Sequence, residues 1–463
     1  MQQISTRPDS GNPCKGRYAF VSLGCPKNLV DSERILGQLQ LDGYQLVDDP
    51  VGTDFVVVNT CGFIEAAREE SFATIDEMLE LKRQGSTRGV VVCGCLAEKQ
   101  KDELYQARPE IDSLVGVFSR EQVTRIADRL VGNLEEQRSV FHPAPIRAPA
   151  DIQRLRITPR HFSYLKISEG CDRLCTFCAI PQMRGKHASK AIEDVVSEAQ
   201  HLAQDGVREL IIVAQDTTYY GTDLYGEPRL TALLKELEQV DGLDWIRLMY
   251  LYPMHIDQPL LDVISASDRI LPYIDMPLQH ISDTMLRRMS RRVTRAETET
   301  LLQFLRETIE NLTLRTTLIT GFPGETEAEF LELKEFVQQQ AFDHLGVFTY
   351  SHERTTPSAD YPGHHSEEEK NRRRDAIMEV QQKMACSRAA ARVGEQLDVV
   401  LDLSLDSDAN AWVGRTGGDA PDVDAVVYVT GEKFPLEAGH IVNCEVVASK
   451  DYDLVACAIQ DPR

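Results

Sequence analysis

The sequence has no run of 18 apolar residues, so no membrane span is expected. Residues Met1 to Gly16 are polar and carry no apolar leader segment, so no secretory signal is expected and the setting reads as cytoplasmic. Positive charge is scarce: 50 Lys and Arg stand against 73 Asp and Glu, a formal net charge of −23. That balance argues against a general nucleic-acid binder and favours a basic partner. The remaining composition, 42% apolar and 27% charged over 463 residues, suits an ordinary globular chain of two to four domains. The densest cysteine cluster lacks a fourth Cys or His at zinc spacing, so a closed tetrahedral zinc site is not expected there.

Cysteine itself is plentiful. Eleven are present, and in a chain of this kind they read as metal or catalytic ligands sooner than as disulfides. Cys171, Cys175 and Cys178 form C-x3-C-x2-C within the run Gly170-Cys-Asp-Arg-Leu-Cys-Thr-Phe-Cys178. Gly170, Asp172 and Arg173 are loop residues, which fits poorly with three thiols buried in a core turn. Thiolates are the usual ligands of iron–sulfur clusters, one per iron. Three on a four-iron cluster leave one iron open to a substrate or cofactor.

A second set emerges from topology. Tyr18–Leu23 reads as a strand running into Gly24-Cys25, Phe55–Thr60 as a strand into Cys61-Gly62, and Gly89–Val92 as a strand into Cys93-Gly94-Cys95. Helices are expected between them, one opening near Val30 with Asp31 or Ser32 as N-cap, the other over Glu65–Arg83. Strands joined by crossover helices are parallel, so their C-terminal ends share one sheet edge, where ligand sites form. Cys25, Cys61 and either Cys93 or Cys95 therefore converge. Cys93 continues the apolar run and points to the core, which favours Cys95 as the third ligand.

Residues 17–131 make up this first domain. Residues 132–156 read as a linker punctuated by Pro143, Pro145 and Pro149, locally basic through Arg147, Arg154 and Arg156, and solvated. Residues 157–394 carry six βα units, too few for a closed eight-stranded barrel and suited to a partial one. The cysteine loop follows the first strand, Gln215 the second, His255 the third, His280 the fourth, and Thr320–Glu325 the fifth. All belong at the C-terminal face. Gly321 allows close backbone approach to a ligand, although a helix cap with Glu325 in its first turn explains that loop almost as well. Ser366–Arg392 reads as a charged helix with Ile377, Val380 and Met384 buried. Residues 397–463 read as five short strands, a small antiparallel barrel of the OB type. From Arg392 to Arg463 there are 14 Asp and Glu against 5 Lys and Arg, a net charge of −9. Asp406, Asp408, Asp422 and Asp424 are read as part of its acidic surface.

C-x3-C-x2-C with Phe177 before the last cysteine resembles the signature of radical S-adenosylmethionine (SAM) enzymes. With the N-terminal three-cysteine domain and the small C-terminal barrel, known as the TRAM domain, the chain resembles the methylthiotransferases along nearly its whole length. Leu23-Gly-Cys-Pro-Lys-Asn-Leu-Val-Asp-Ser-Glu33 is similar to the branch that modifies ribosomal protein uS12; tRNA-modifying members usually carry Gln-Met-Asn after this cysteine. Asn59–Ile64 and Gly94–Leu96 match the motifs of the other two N-terminal cluster cysteines. The resemblance implies two 4Fe-4S clusters, one on Cys171, Cys175 and Cys178 and one on Cys25, Cys61 and Cys95. It implies SAM as methyl donor and radical source, with Gln215 and Gly321 as expected contacts. It implies methylthiolation of the β-carbon of a uS12 aspartate, an electron donor as further partner, no membrane and no direct nucleic-acid substrate. The alternatives are a tRNA adenosine methylthiotransferase with the same chemistry and a two-cluster electron carrier. The carrier would need four thiolates per cluster.

Overall fold

A computed structural model of the chain describes residues 14–132, 138–406, 410–431 and 435–462. Among these residues no helix is long and apolar enough to cross a membrane.

The N-terminal unit is a six-stranded parallel sheet. In chain order it comprises β1 (Gly16–Ser22), α1 (Pro26–Leu41), β2 (Tyr44–Leu46), β3 (Thr53–Thr60), α2 (Glu65–Arg83), β4 (Thr87–Gly94), α3 (Cys95–Gln100), β5 (Ser113–Val115) and β6 (Arg138–Val140). The strand order is β2-β1-β3-β4-β5-β6. Central strands of a parallel sheet are covered on both faces, and Phe55 to Val58 and Val90 to Val92 are accordingly all fully buried. Within the expected linker, β6 forms the sheet edge beside β5. Nor is its basic stretch simply solvated. The Arg154 side chain is buried, donates to the Tyr164 carbonyl at 2.9 Å and lies 3.7 Å from Glu33.

The N-cap of α1 lies six residues before Asp31, the nearer of the two caps the sequence suggests. Cys25 is its N-cap, its carbonyl accepting from Asn28 and Leu29 at 2.8 and 3.0 Å. Pro26 opens the helix, where its fixed φ is preset and its missing N–H costs nothing. Asp31 and Ser32 therefore lie inside the helix and cap nothing. Asp31 enters a buried ion network, and Ser32 bonds to Ser22 and Asn59, both at 2.7 Å.

The second unit has six parallel strands in sequential order: β7 (Phe162–Lys166), then Glu209–Val213, Trp245–Leu248, Ile270–Asp275, Thr313–Thr320 and His344–Thr349. Its outer helices bury one continuous core that includes Leu210, Leu233, Leu261, Leu302 and Phe336. The sheet does not close. α1 fills part of its inner side, with Val30 packing among Tyr164, Val213 and Met249. The helix Glu367–Ala391 returns across it, capped by Ser366 and burying Ile377, with Val380 and Met384 packed alongside.

The third unit is a closed five-stranded barrel of Gln396–Asp406, Ala411–Thr416, Val427–Thr430, Ile441–Lys450 and Asp453–Ala458. Its ladders are antiparallel except the parallel closing pair of Val427–Thr430 with Asp453–Ala458. It docks under the N-terminal ends of the core strands through Arg415–Glu209 at 2.7 Å, Arg315–Asp424 at 3.1 Å and His161–Asp402 at 2.7 Å. Asp424 is thus not part of an acidic surface: the core covers it, and Arg315 and the Tyr273 hydroxyl engage its carboxylate. Asp422 is exposed; Asp408 lies outside the described residues.

Candidate active site: two cysteine sets at one domain junction

The first set sits on the loop after β7. A two-residue hairpin, Ser168–Glu169 with Ala188–Ser189, closes the base of that loop. The Cys171 N–H donates to Gly185 at 3.2 Å, and the Cys178 N–H turns back to Cys175 at 3.0 Å. Thr176 donates its N–H to Met289 and its hydroxyl to Arg288, and accepts from the Ser358 N–H. Arg173 pins the loop to the second strand's end. Its guanidinium pairs with Asp216 at 2.7 Å and stacks 4.2 Å from Tyr252 and 5.0 Å from Tyr219. Arg291 brings its guanidinium 3.8 Å from the Cys175 sulfur.

The second set forms where β1, β3 and β4 end. Gly24 has φ +94°, and a Cβ added there would meet the Cys61 Cβ at 2.9 Å and its sulfur at 3.2 Å. A Cβ on Gly62 would meet the Cys95 backbone at 3.0 Å. Chain bends at these glycines thus bring Cys61 against the Cys25 turn and Cys95 against the Cys61 turn. Cys93 points the other way, into the core with Tyr18, Val57 and Val115.

The thiols differ in their electrostatics. Burial pushes Cys171 and Cys178 up to about 12, and neighbouring Cys175 adds to both shifts. Burial pushes Cys95 up to about 11 and also raises Cys61. Burial acts in the same direction on Cys25, but the Lys27 ammonium, the Arg184 guanidinium and the N–H groups of Asn28 and Lys27 outweigh it and lower its pKa. Crowded thiols that raise one another's pKa suit a polycation, because metal binding removes their protons. Among the described residues no three side chains are placed to grip a single metal ion. Cluster thiolates each bind a different iron and stand further apart. Gln215 adds a further fit to a bound cofactor: both polar atoms of its amide are buried and unpartnered.

Arg184 joins the two sets. It ends the short helix Ile180–Arg184 beyond Cys178, yet its guanidinium sits beside Cys95 and Cys25. It pairs with Asp31 at 2.9 Å and Glu169 at 3.1 Å. Asp31 also receives Arg120 at 2.8 Å and Lys166 at 2.5 Å, and Lys190 lies 2.9 Å from Asp151. These cations hold the Asp31 and Asp151 carboxyls well below their usual range, against the upward push of burial. Removing one partner of such a buried set strands a charge, at a cost of about 3–5 kcal/mol. The network therefore fixes the angle between the N-terminal sheet and the core. Sequence reading missed it, although Asp31 lies in the Leu23–Glu33 motif.

Other residues at this face have neighbours within the chain. Gly321, at φ +69°, turns its open side onto Lys370, and its N–H goes to the Glu325 carboxylate. His280 is buried against Glu325 at 3.2 Å, and Arg373 completes that pair at 3.0 Å. His255 lies near Tyr219 at 6.0 Å between ring centroids. The turn reading of Thr320–Glu325 thus has protein partners of its own, Lys370 and Glu325.

Comparison with known proteins follows these three units. Residues 17–116 match the Uncharacterized protein family UPF0004, 165–337 the Radical SAM superfamily and 393–459 the TRAM domain. The chain is 44% identical over 439 residues to "Ribosomal protein uS12 methylthiotransferase RimO" of Lachnoclostridium phytofermentans, covering 95% of this chain and 99% of that one. It is 42% identical over 444 residues to the protein of the same name from Clostridioides difficile, covering 95% and 98%. Among solved structures, the radical S-adenosylmethionine methyltransferase TsrM of Kitasatospora setae shares the fold at a TM-score of 0.54 and 14% identity, covering 74% of this chain and 75% of that one.

Proposed function

The chain belongs to the family of ribosomal protein uS12 methylthiotransferases, and from that membership we propose that it replaces a C–H bond on the β-carbon of a uS12 aspartate by C–S–CH3. The observation that carries the reading is the junction itself. Two three-thiol sets from separate domains are tied together by Arg184, which follows one set in sequence and touches the other in space.

The chemistry explains why two sets are useful. A C–H bond beside a carboxylate is not acidic enough for a side-chain base, so a cofactor must supply radical chemistry. Cys171, Cys175 and Cys178 would hold one 4Fe-4S cluster, and Cys25, Cys61 and Cys95 a second. With SAM bound, these groups would supply the radical and methylthio-donor chemistry. The chain's own part is placement. Arg173, stacked on Tyr252 and paired with Asp216, holds the first loop on the barrel edge. The Gln215 amide is free to bond the cofactor. The ion network of Asp31, Arg120, Lys166, Glu169 and Arg184 keeps the second set at a fixed distance from the first. An electron donor completes the system, in the cytoplasm where uS12 is made.

The test is mass spectrometry of uS12 from cells with and without this gene. A methylthio mass shift on one aspartate, present only with the gene, is expected. Unmodified uS12 together with methylthio-modified tRNA would overturn the assignment.

A further inference from the structure

Lys27 is the second residue of α1, two positions beyond Cys25, and is only 8% exposed. Its ammonium lies 3.2 Å from the centroid of the Tyr250 ring. Among the described residues, no carboxylate or carbonyl accepts a hydrogen bond from it. The cations of the adjoining buried network each have an acid: Lys166 meets Asp31 at 2.5 Å, Arg184 meets Asp31 at 2.9 Å, and Lys190 meets Glu198 at 2.6 Å. The neighbouring Asp275 is already engaged, by Arg315 at 3.0 Å and the Tyr250 N–H at 3.0 Å. The anionic partner left to it is the Cys25 thiolate, a charge that a bound cluster would take up, and one aromatic face does not return the cost of a buried ammonium.

The site is prebuilt. Tyr250 holds φ +63°, a left-handed conformation that is costly for an aromatic residue. Its N–H to Asp275 and its carbonyl, which accepts from the Thr217 N–H at 3.1 Å, lock it there. Tyr250 follows the third core strand and Asp275 ends the fourth, both at the barrel's C-terminal edge. The Lys27 ammonium therefore stands where that edge meets the Cys25 turn. α1 has no acidic residue in its first turn to neutralise it.

Building on the function proposed above, we propose that Lys27 is a specificity-determining residue: its ammonium binds the carboxylate of the acceptor aspartate of uS12 and so holds the adjoining β-carbon at the junction of the two cysteine sets. Aspartate presents a charge that asparagine, of the same shape, does not. An ammonium waiting in a desolvated site discriminates between the two through that charge.

The experiment uses the anaerobically reconstituted full chain as wild type, Lys27→Met and Lys27→Arg. The probes are purified uS12 and uS12 whose modified aspartate is replaced by Asn. Binding is read by fluorescence anisotropy, modification by mass spectrometry, iron by chemical assay and SAM affinity by equilibrium dialysis. Wild type should prefer the Asp form by about tenfold or more, since a charge-assisted bond is lost with Asn. Lys27→Met should bind both forms alike and lose mainly through KM, with iron and SAM affinity at wild-type levels. Lys27→Arg should recover part of the preference. Retention of the Asp preference in Lys27→Met would overturn the role, as would loss of iron, which would make Lys27 a counter-charge for the thiolates. Weakened SAM binding with preference intact would reassign it to the cofactor and overturn it too. If wild type leaves uS12 unmodified, the preceding function fails and Lys27's role falls with it; if wild type modifies uS12 and Lys27→Met keeps its preference, only the role of Lys27 fails.

Discussion

The two cysteine sets hold the same three-thiol inventory and are built in opposite ways. Cys171, Cys175 and Cys178 lie within eight residues on one loop, fastened by local hydrogen bonds and the Arg173 stack. Cys25, Cys61 and Cys95 come from three strand ends, and only the sheet gathers them. The surroundings differ as well. Cys171 and Cys178 are pushed up by burial, whereas Cys25 is lowered under Lys27 and Arg184. A local set can form whenever its loop folds. A dispersed set depends on the sheet, and its alignment with its partner depends on the buried ions between the domains.

The largest effect should separate the sets by role. Replacing Cys171, Cys175 or Cys178 by Ala should abolish 5'-deoxyadenosine formation. Replacing Cys25, Cys61 or Cys95 should stop sulfur transfer and leave some SAM cleavage, read by chromatography of the nucleoside products. Equal loss of both reactions from either set would erase the distinction.

Next is the link between them. Arg184→Leu leaves the buried network one positive charge short, with Asp31 and Glu169 held only by Lys166 and Arg120, and should cost about 3–5 kcal/mol. The measurement is urea unfolding, with hydrogen exchange to locate the loosening at α1 and β7. A loss confined to the core would show that Arg184 does not join the domains.

Cys93 and Cys95 give a finer contrast. Cys93→Ala should cost about 1 kcal/mol as a core truncation and leave iron content unchanged. Cys95→Ala should lose the iron of the second set. The reverse pattern would exchange the ligand assignment.

The local set was legible from spacing alone. The dispersed set was legible from parallel topology, because continuous apolar runs ending in Gly and Cys give the strand ends away. What escaped was anything defined by a distant partner. Cys is not a favoured N-cap, so the start of α1 was read at Asp31 when Pro26 already marked it. Asp31, Arg184 and Lys166 carry no sequence sign that three elements would bury them together. Asp424 reads as an exposed barrel acid, and only docking against Arg315 and Tyr273 makes it internal. β2, β5 and β6 have three residues each, too few to show a period.

The smallest effect concerns the acidic barrel, which lies at the N-terminal ends of the core strands, away from the cysteines. Its exposed carboxylates can steer a basic protein without touching the chemistry. Asp422, Glu437, Glu445 and Asp451 are exposed. Changing all four to Lys should slow uS12 modification about threefold at low ionic strength and have little effect at high salt, where screening shortens the field. Equal rates at low salt would remove the steering role.

The most direct measurement is iron per chain in three anaerobic preparations: wild type, the triple Ala variant of Cys171, Cys175 and Cys178, and the triple Ala variant of Cys25, Cys61 and Cys95. The expected result is about eight irons in wild type and about four in each variant, one four-iron cluster per three-thiol set. Four irons in fully active wild type, or zinc in either set, would contradict it.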